Sequence, residues 1–262
     1  MDLIGRSAVV AGGAGGLGGA VVRRLAGQGV GVVVLDPNPE AATALAGELG
    51  DHVTSVVGDS NDDDSVAVAV ALAQSLGTFS IAVTATGVVI PSGRLVNSEG
   101  EPLDKETVLA NLDLHVIGPF NLARLSAAAF AGNQPDEHGQ RGVIVLTASI
   151  SAFDGQVRMV PYAAAKGAVV GMTLPMARDL APLGVRVCTI APGAFATPRL
   201  SSPQAQQALL ADILFPKRLG LPDEFARLAE AIITNPYLNG EVIRLDAATR
   251  LGPDMRSPRS TP

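Results

Sequence analysis

The amino-acid sequence predicts an α/β fold in which helices cover both faces of a doubly wound parallel sheet. Short apolar runs alternate with helix-like segments along the chain. Segments of about ten residues or more separate the runs, a length that suits crossovers between parallel strands. Such crossovers are right-handed, which favours a sheet that extends in both directions from its first strand. Aromatic residues make up only 3% of the chain, so small aliphatic side chains must fill the interior.

Seven runs are the predicted strands. Their side chains are apolar at nearly every position, which is typical of strands buried on both faces. The runs are Ser7–Ala11, Val30–Leu35, Val53–Val57, Phe79–Thr84, Gly142–Leu146, Val185–Ile190 and Glu241–Leu245.

The segments between these strands carry helix signals. Pro39 stands at a first helical position, and acidic residues follow Asp62 in a predicted first turn. We expect a surface insertion over Pro91–Asp104, and short helices broken by proline within Ser201–Leu228. The prolines in question are Pro203, Pro216 and Pro222, and the predicted helices are Gly16–Gln28, Pro39–Leu49, Asp62–Leu76, Lys105–Ala131 and Pro161–Leu183.

The chain shows no internal repeat and no composition break before its last residues. We therefore expect one domain over residues 1–249, with a substrate loop at about 194–221. Residues 250–262 contain three prolines and no apolar pattern, which predicts a tail that is disordered or lies on a partner subunit.

Charge and composition exclude several kinds of partner. The net charge is −6 and no basic run occurs, so nucleic acid is not expected to bind. Cys188 is the only cysteine, which excludes an intrachain disulfide and a four-cysteine metal site. No apolar run approaches the roughly 20 residues that span a bilayer, and the start lacks signal-peptide features. We expect a cytoplasmic protein without a membrane partner or a metal.

A glycine-rich turn joins the first strand to the first helix. Glycines at Gly12, Gly16 and Gly18, with Leu17 between the last two, allow a tight turn and close approach of a ligand. The N–H groups at the helix start favour an anion such as a pyrophosphate. The alternative is a flexible loop, which the strand before the turn and the helix after it disfavour.

Acidic residues after the second and third strands predict which dinucleotide binds. Asp36 ends the second strand, where a carboxylate accepts both ribose hydroxyls of NAD and repels the phosphate of NADP. No lysine or arginine occurs between Gly12 and Gly18 to bind that phosphate. Asp59 and Ser60 stand where they reach the adenine amino group. Each acidic residue has the alternative of an ordinary polar turn.

Tyr162 and Lys166 are four residues apart near a predicted helix start, so one helix face carries both. A lysine ammonium lowers the pKa of a nearby phenol, which then accepts a proton from an alcohol as hydride leaves the carbon. Ser149 follows the fifth strand and has a hydroxyl that donates to the substrate oxygen. The alternatives are a surface Tyr–Lys pair and a turn serine.

The segment after the sixth strand begins Pro192-Gly193, which turns the chain outward at the carboxyl end of the sheet. The backbone near Phe195 and the hydroxyl of Thr197 are candidates to hold a nicotinamide carboxamide. A plain Pro-Gly turn is the alternative.

These four elements in this order resemble the short-chain dehydrogenase/reductase family over essentially the whole chain. The resemblance implies a Rossmann-type fold with a seven-stranded parallel sheet, a catalytic Ser149, Tyr162 and Lys166, and a homotetramer. Further stretches, at 139–144, 147–149, 171–182 and 235–246, resemble its 3-hydroxyacyl-CoA dehydrogenase branch. That branch implies NAD and small-molecule substrates such as 3-hydroxyacyl-CoA thioesters or hydroxysteroids.

Three positions depart from the family pattern. His115 replaces an asparagine that holds a water in the proton path, so it relays protons, spoils the geometry or simply packs in the helix. Thr84-Ala85-Thr86-Gly87 replaces Asn-Asn-Ala-Gly, with Gly87 retained near the cofactor, and Ala11 replaces a threonine. Two hypotheses follow: an active NAD-dependent alcohol dehydrogenase, or a non-catalytic NAD-binding scaffold or sensor.

The substrate loop suggests what the enzyme would accept. Its apolar side chains predict a pocket for acyl or ring bodies, and its cations are either partners of coenzyme A phosphates or ordinary surface charges. The apolar residues are Leu200, Leu209, Leu210, Leu214 and Phe215, and the cations are Arg199, Lys217 and Arg218.

Overall fold

Seven parallel strands form one sheet in the computed structural model, which describes residues 1–87, 90, 92–198, 200 and 202–254. Their order is β3-β2-β1-β4-β5-β6-β7. The strands are β1 Arg6–Ala11, β2 Gly31–Asp36, β3 Val53–Val57, β4 Thr78–Thr84, β5 Gly142–Thr147, β6 Val185–Pro192 and β7 Val242–Leu245. The predicted doubly wound parallel sheet is confirmed, with each strand within two residues of its expected bounds.

Eight α-helices flank the sheet in the described part of the chain. Single 3-10 turns at Ile150–Ala152 and Ala181–Leu183 precede and follow the longest of them. The helices are α1 Gly16–Ala26, α2 Pro39–Leu49, α3 Asp63–Leu76, α4 Lys105–Leu112, α5 Gly118–Phe130, α6 Val160–Leu180, α7 Pro203–Leu210 and α8 Pro222–Thr234.

The sheet separates two apolar cores. Successive residues of a strand point to opposite faces, so Val10 packs in the core under α1, α2 and α8, whereas Val9 packs in the core under α3, α5 and α6. Both valines are fully buried, which explains the continuous apolar runs.

The strand order reverses beside β1, which has β2 on one side and β4 on the other. Chains that leave neighbouring strands in opposite directions open a crevice at the carboxyl edge of the sheet. The turns after β1, β2, β4, β5 and β6 therefore surround this crevice, and they carry most of the predicted site residues.

The single helix predicted over Lys105–Ala131 is wrong in one respect. A π turn, Asp113–Ile117, joins α4 to α5, and the Gly118 amide donates to the carbonyl five residues earlier. Pro119 has no N–H to donate to the His115 carbonyl, so the ordinary α-helical bond is missing here.

Two of the three expected proline breaks are also corrected. Pro203 and Pro222 each begin a helix, where the missing N–H has no cost, and α8 continues to Thr234. Pro216 lies between these helices.

The first part of the predicted tail packs against its own chain. The Val157 amide donates to the Pro253 carbonyl over 2.8 Å, and the Gln156 side-chain amide donates to the Gly252 carbonyl over 3.0 Å. Residues 255–262 lie outside the described residues.

Candidate active site

The glycine-rich turn after β1 is built for close backbone approach. Gly12 has a φ of +70°, and a Cβ there would lie 2.9 Å from the Ala85 carbonyl carbon. A Cβ on Gly18 would overlap the Gly12 carbonyl oxygen. Both positions therefore require glycine, since any side chain would push the turn away from β4 or from α1.

The N-terminus of α1 has no side-chain cap in the described part of the chain. Its first-turn amides, which include that of Leu17, have no partner within the helix and favour an anion. Four other helices are capped by a side chain at the same position. Those caps are Asn38 on α2, Asp62 on α3, Asp104 on α4 and Ser202 on α7. The turn and the uncapped start of α1 thus fit the diphosphate of a dinucleotide.

Asp36 ends β2 beside this turn and is buried. Its two carboxylate oxygens accept hydrogen bonds from the amides of Ala14 and Asn38, each over 3.0 Å. The carboxylate is therefore fixed against the glycine-rich turn, in a position to accept ribose hydroxyls.

Asp59 and Ser60 lie two strands from β1, after β3. The Asp59 carboxylate accepts the Asn61 amide over 2.9 Å, and the Ser60 carbonyl accepts the Asn121 side chain over 2.9 Å. Because β3 pairs with β2 up to Asp36, this turn borders the same end of the crevice.

Ser149, Tyr162 and Lys166 converge on the other side of the crevice. Ser149 and Tyr162 are hydrogen-bonded through their side chains, and the Ser149 hydroxyl also accepts the Ser151 amide over 3.1 Å. The Lys166 ammonium lies 5.9 Å from the centre of the Tyr162 ring and donates to the Thr147 carbonyl over 3.0 Å. The α6 face that carries the tyrosine and the lysine thus faces the end of β5.

The expected lowering of the Tyr162 pKa by Lys166 is wrong for this structure. Burial raises the pKa of the phenol, and the hydrogen bond with Ser149 offsets only part of that rise. Burial also lowers the pKa of Lys166 to about 7, because its side chain is 1% exposed. Desolvation therefore favours the neutral form of both groups.

His115 occupies the π turn and is fully buried. Its ring meets the Tyr162 ring edge to face, with centres 5.2 Å apart and planes at 86°. The structure therefore places the substituted residue directly against the phenol.

The segment after β4 contacts the same lysine. The Thr86 carbonyl accepts a hydrogen bond from the Lys166 ammonium over 3.4 Å. At the end of β5, the amide and the hydroxyl of Thr147 donate to the hydroxyl and the carbonyl of Thr84, respectively. Gly87 follows and is exposed. The substituted segment thus retains a carbonyl contact with Lys166.

The chain after β6 returns over the glycine-rich turn. Gly193 packs on Asp246, where a Cβ would lie 2.9 Å from the aspartate Cβ, and its amide donates to the Leu245 carbonyl just after Pro192. Phe195 bridges to Gly220, and Thr197 covers Gly16 closely enough that a Cβ there would lie 2.8 Å from it. The four predicted nicotinamide-side residues therefore belong to the segment that leaves the carboxyl end of β6 and returns over the glycine-rich turn.

A cavity of about 580 Å³ opens beside Ser149 and Tyr162. Sequence reasoning missed much of its wall, most of which comes from the loop before α6 and from the segment after β7, with single residues from the segment after β4 and from the segment after α7. These missed residues are Ser92, Gln156, Arg158, Met159, Asp212, Thr249 and Leu251. The positive φ of Arg158 has no sequence signal, and the others carry no motif.

Most of the loop residues predicted for this pocket do not line it. Among the described ones only Leu209 does, whereas Leu214 and Phe215 are exposed. Arg218 is paired with Glu224, and the Lys217 ammonium donates to the Ile213 carbonyl over 2.6 Å. Both cations thus have contacts within the chain, and Arg199 lies outside the described residues.

Comparison with known proteins decides the family. A model for short chain dehydrogenases matches residues 6–208. The chain belongs to the short-chain dehydrogenase family. This short-chain dehydrogenase is therefore an oxidoreductase, and the alternative of a non-catalytic subunit is set aside. Its cofactor is a nicotinamide dinucleotide.

Within the family, this short-chain dehydrogenase is similar to particular enzymes. It is 46% identical over 252 residues to 3-hydroxyacyl-CoA dehydrogenase type-2 from Homo sapiens, covering 95% of this chain and 97% of that protein. The crystal structure of 3-hydroxyacyl-CoA dehydrogenase type-2 from Mycobacterium avium superposes with a TM-score of 0.94 at 47% identity, covering 97% of this chain and all of that one. A 7 alpha-hydroxysteroid dehydrogenase complexed with NADH and 7-oxo glycochenodeoxycholic acid gives 0.83 at 26% identity, covering 96% and 97%.

No helix among the described residues has both the length and the apolar composition needed to cross a membrane.

Proposed function

We propose that the enzyme uses NAD to interconvert a secondary alcohol and a ketone, and that its substrates are 3-hydroxyacyl-CoA thioesters. The observation that carries the proposal is the convergence of the Ser149 and Tyr162 hydroxyls on one wall of the cavity. The 46% identity to the human 3-hydroxyacyl-CoA dehydrogenase type-2 supports the substrate class. Hydroxysteroids are the second candidate, supported by the 7 alpha-hydroxysteroid dehydrogenase neighbour.

The residues on the dinucleotide side have assigned tasks in this proposal. Gly12, Gly16 and Gly18 with the Leu17 amide hold the diphosphate, and Asp36 binds the adenosine ribose. An extra phosphate on that ribose would meet the buried carboxylate, which supports NAD over NADP. Asp59 and Ser60 border the adenine, and Gly87 lies along the ribose path. Pro192, Gly193, Phe195 and Thr197 border the nicotinamide.

The residues on the substrate side move the proton. Bound NAD supplies the hydride acceptor. The Ser149 hydroxyl donates a hydrogen bond to the substrate oxygen. In alcohol oxidation the deprotonated Tyr162 oxygen accepts the hydroxyl proton as hydride leaves the carbon, and in ketone reduction the phenol donates a proton to the carbonyl oxygen. Lys166, with a pKa of about 7, is poised to gain or lose a proton near neutral pH and to bind ribose hydroxyls. His115 packs against the phenol and fixes the plane of its ring.

Substitution of Tyr162 by phenylalanine tests the proposal, because it removes one oxygen atom and leaves the ring in place. We expect NADH production to fall by about 100-fold or more, the usual size of an acid–base contribution, while NAD still binds. The measurement is NADH absorbance across a panel of acyl-CoA chain lengths and hydroxysteroids, with NAD binding followed by titration.

Tyr237→Phe is the matched control, because the second tyrosine of the chain is 97% exposed. That variant should keep its wild-type rates. Retention of most turnover by Tyr162→Phe would remove the phenol from the mechanism, and a wild-type enzyme silent on all acyl-CoA substrates would remove the substrate class.

We further propose a homotetramer in the cytoplasm. A reducing compartment suits the single cysteine, Cys188, which is a buried free thiol.

A further inference from the structure

Arg158 adopts a backbone conformation that arginine rarely takes. Its φ is +70°, in the left-handed region, where a Cβ crowds the following carbonyl. The residue lies in the loop between the 3-10 turn Ile150–Ala152 and α6, four positions before Tyr162. A strained residue beside an active site is a reason to ask what its side chain does.

Contacts from two distant parts of the chain hold this loop in place. The Ser92 hydroxyl donates to the Arg158 carbonyl. One residue earlier the Val157 amide donates to the Pro253 carbonyl over 2.8 Å, and the Gln156 side chain donates to Gly252. These contacts hold the backbone at Arg158 and at the two residues before it, so they fix the point from which the arginine side chain leaves the loop.

Arg158 is the one cation among the described residues that line the substrate cavity, and its side chain is exposed. It has no ion pair or side-chain hydrogen bond within the described part of the chain. Its neighbours at this end differ: Arg244 pairs with Asp154 and Asp246, and Arg250 pairs with Asp246. Among the described residues, the guanidinium of Arg158 therefore has no charged partner at the rim of the cavity.

The other described residues of the cavity wall carry little charge. The only carboxylate among the described lining residues is Asp212, which comes from the segment after α7. The remaining lining side chains are apolar, amide or hydroxyl groups. In a chain with a net charge of −6, an anionic substrate needs a local cation at the entrance to offset the overall repulsion.

We propose that Arg158 is a specificity-determining residue that binds an anionic group of the substrate, away from the reacting carbon. A guanidinium presents two parallel N–H donors that match a phosphate or a carboxylate. The inference rests on the proposed function, in which Ser149 and Tyr162 hold the reacting hydroxyl within the cavity. The anion is either a phosphate of a coenzyme A thioester or the carboxylate of an acidic small molecule.

Two pairs of substrates, each with a charged and an uncharged member, distinguish a phosphate from a carboxylate as the bound anion. 3-Hydroxybutyryl-CoA is compared with the N-acetylcysteamine thioester of the same acid, which carries the reacting group without phosphates. A hydroxysteroid with a carboxylate side chain is compared with its methyl ester. For Arg158→Gln we expect kcat/KM to fall about tenfold or more on one charged substrate, mainly through KM, and to change less than about twofold on its uncharged partner.

Two further variants control for folding and for net charge. Arg158→Gly removes the charge and adopts the positive φ without strain, so its Tm should be no lower than that of the wild type. Arg6→Gln makes the same charge change at the start of β1, on the amino edge of the sheet, and should leave all four substrates unaffected. Agreement between the glutamine and glycine variants assigns the loss to the charge.

The outcomes divide cleanly. A selective loss on the coenzyme A ester supports the proposal with phosphate as the anion, and a selective loss on the carboxylate steroid supports it with carboxylate. Equal losses on charged and uncharged partners, or no loss on any substrate, overturn it. Turnover of the four substrates by the wild type is measured first, and this measurement tests the proposed function independently of Arg158. If the wild type turns over none of the four, calorimetric binding of acetoacetyl-CoA and of the carboxylate steroid to wild type and Arg158→Gln decides the question for Arg158.

Discussion

Lys166 lies beside Tyr162 in the candidate active site, where burial disfavours its charged form. Its ammonium is buried and meets only carbonyl oxygens, those of Thr147 and Thr86, among the described residues. Burial lowers its pKa from 10.5 to about 7, and that difference is a cost to the folded state. Sites that need such groups are commonly less stable than the fold permits.

We predict that Lys166→Met stabilises the cofactor-free protein by roughly 1–3 kcal/mol near pH 7 while it abolishes turnover. Methionine fills the volume of the lysine stem and carries no charge. Because the folded-state pKa lies below the unfolded-state value, the penalty is complete below pH 7 and is relieved as pH rises toward 10.5. The advantage of the methionine variant should therefore shrink between pH 7 and 9.5.

Urea unfolding of both proteins at several pH values measures this difference. The prediction would be contradicted if Lys166→Met were no more stable than the wild type at pH 7, or if its stability advantage over the wild type grew with pH.

Asp36 sets the choice between the two nicotinamide dinucleotides. We predict that Asp36→Ala and Asp36→Asn raise the ratio of kcat/KM for NADP to that for NAD by about tenfold or more, because the repulsion of the extra phosphate disappears. Asparagine keeps an acceptor for the amides of Ala14 and Asn38, so it separates charge from local structure. The exposed Asp51→Ala serves as control, and an unchanged ratio in both variants would remove Asp36 from the cofactor site.

At the scale of elements, the substrate loop is closed at its base by a backbone bridge. Phe195 pairs with Gly220, and the Gly220 amide donates to the Ala194 carbonyl over 3.0 Å. The Phe195 ring covers Gly220 and meets Phe225 edge to face. The bridge holds together the two ends of the segment that contains α7, and α7 forms part of the cavity wall.

We predict that Gly220→Ala raises KM by roughly threefold to tenfold and lowers Tm by a few degrees. A Cβ at this position would lie 2.7 Å from the Phe195 ring, so the ring and the base of the loop must move. Steady-state kinetics and thermal unfolding measure the two effects. Gly47→Ala, on α2 with nothing within 4 Å, is the control and should be neutral or slightly stabilising. Unchanged KM and Tm in Gly220→Ala would show that the base is not rigid.

The sequence predicts those elements whose signals are local. Buried parallel strands appear as apolar runs, and the glycine-rich turn needs Gly12 and Gly18 for reasons that neighbouring atoms impose. The π turn was missed because it depends on an absent N–H at Pro119 within an otherwise helical pattern. The cavity wall was missed because Gln156 and Leu251 are brought together by tertiary contacts and share no motif.

At the scale of the whole molecule, the continuous helical segment from α4 to α5 leaves large apolar side chains uncovered. Leu109 is 52% exposed, Ile117 is 48% exposed and Phe120 is 44% exposed. Single exposed apolar side chains are common, but several on one segment indicate a contact surface. This surface also adjoins the π turn that places His115.

We predict that the enzyme sediments at four times its chain mass of 26.6 kDa and that Phe120→Glu yields smaller species. A charge in the middle of an apolar contact must be desolvated without a partner, which costs more than the contact gains. Phe215→Glu places the same charge at a phenylalanine that is 83% exposed on the substrate loop, and it should remain tetrameric. Analytical ultracentrifugation at micromolar concentration separates the species, and thermal unfolding of Phe120→Glu should no longer depend on protein concentration if it is monomeric. A wild type that sediments as a monomer would contradict the assembly, and a Phe120→Glu tetramer would place the contact surface elsewhere on the molecule.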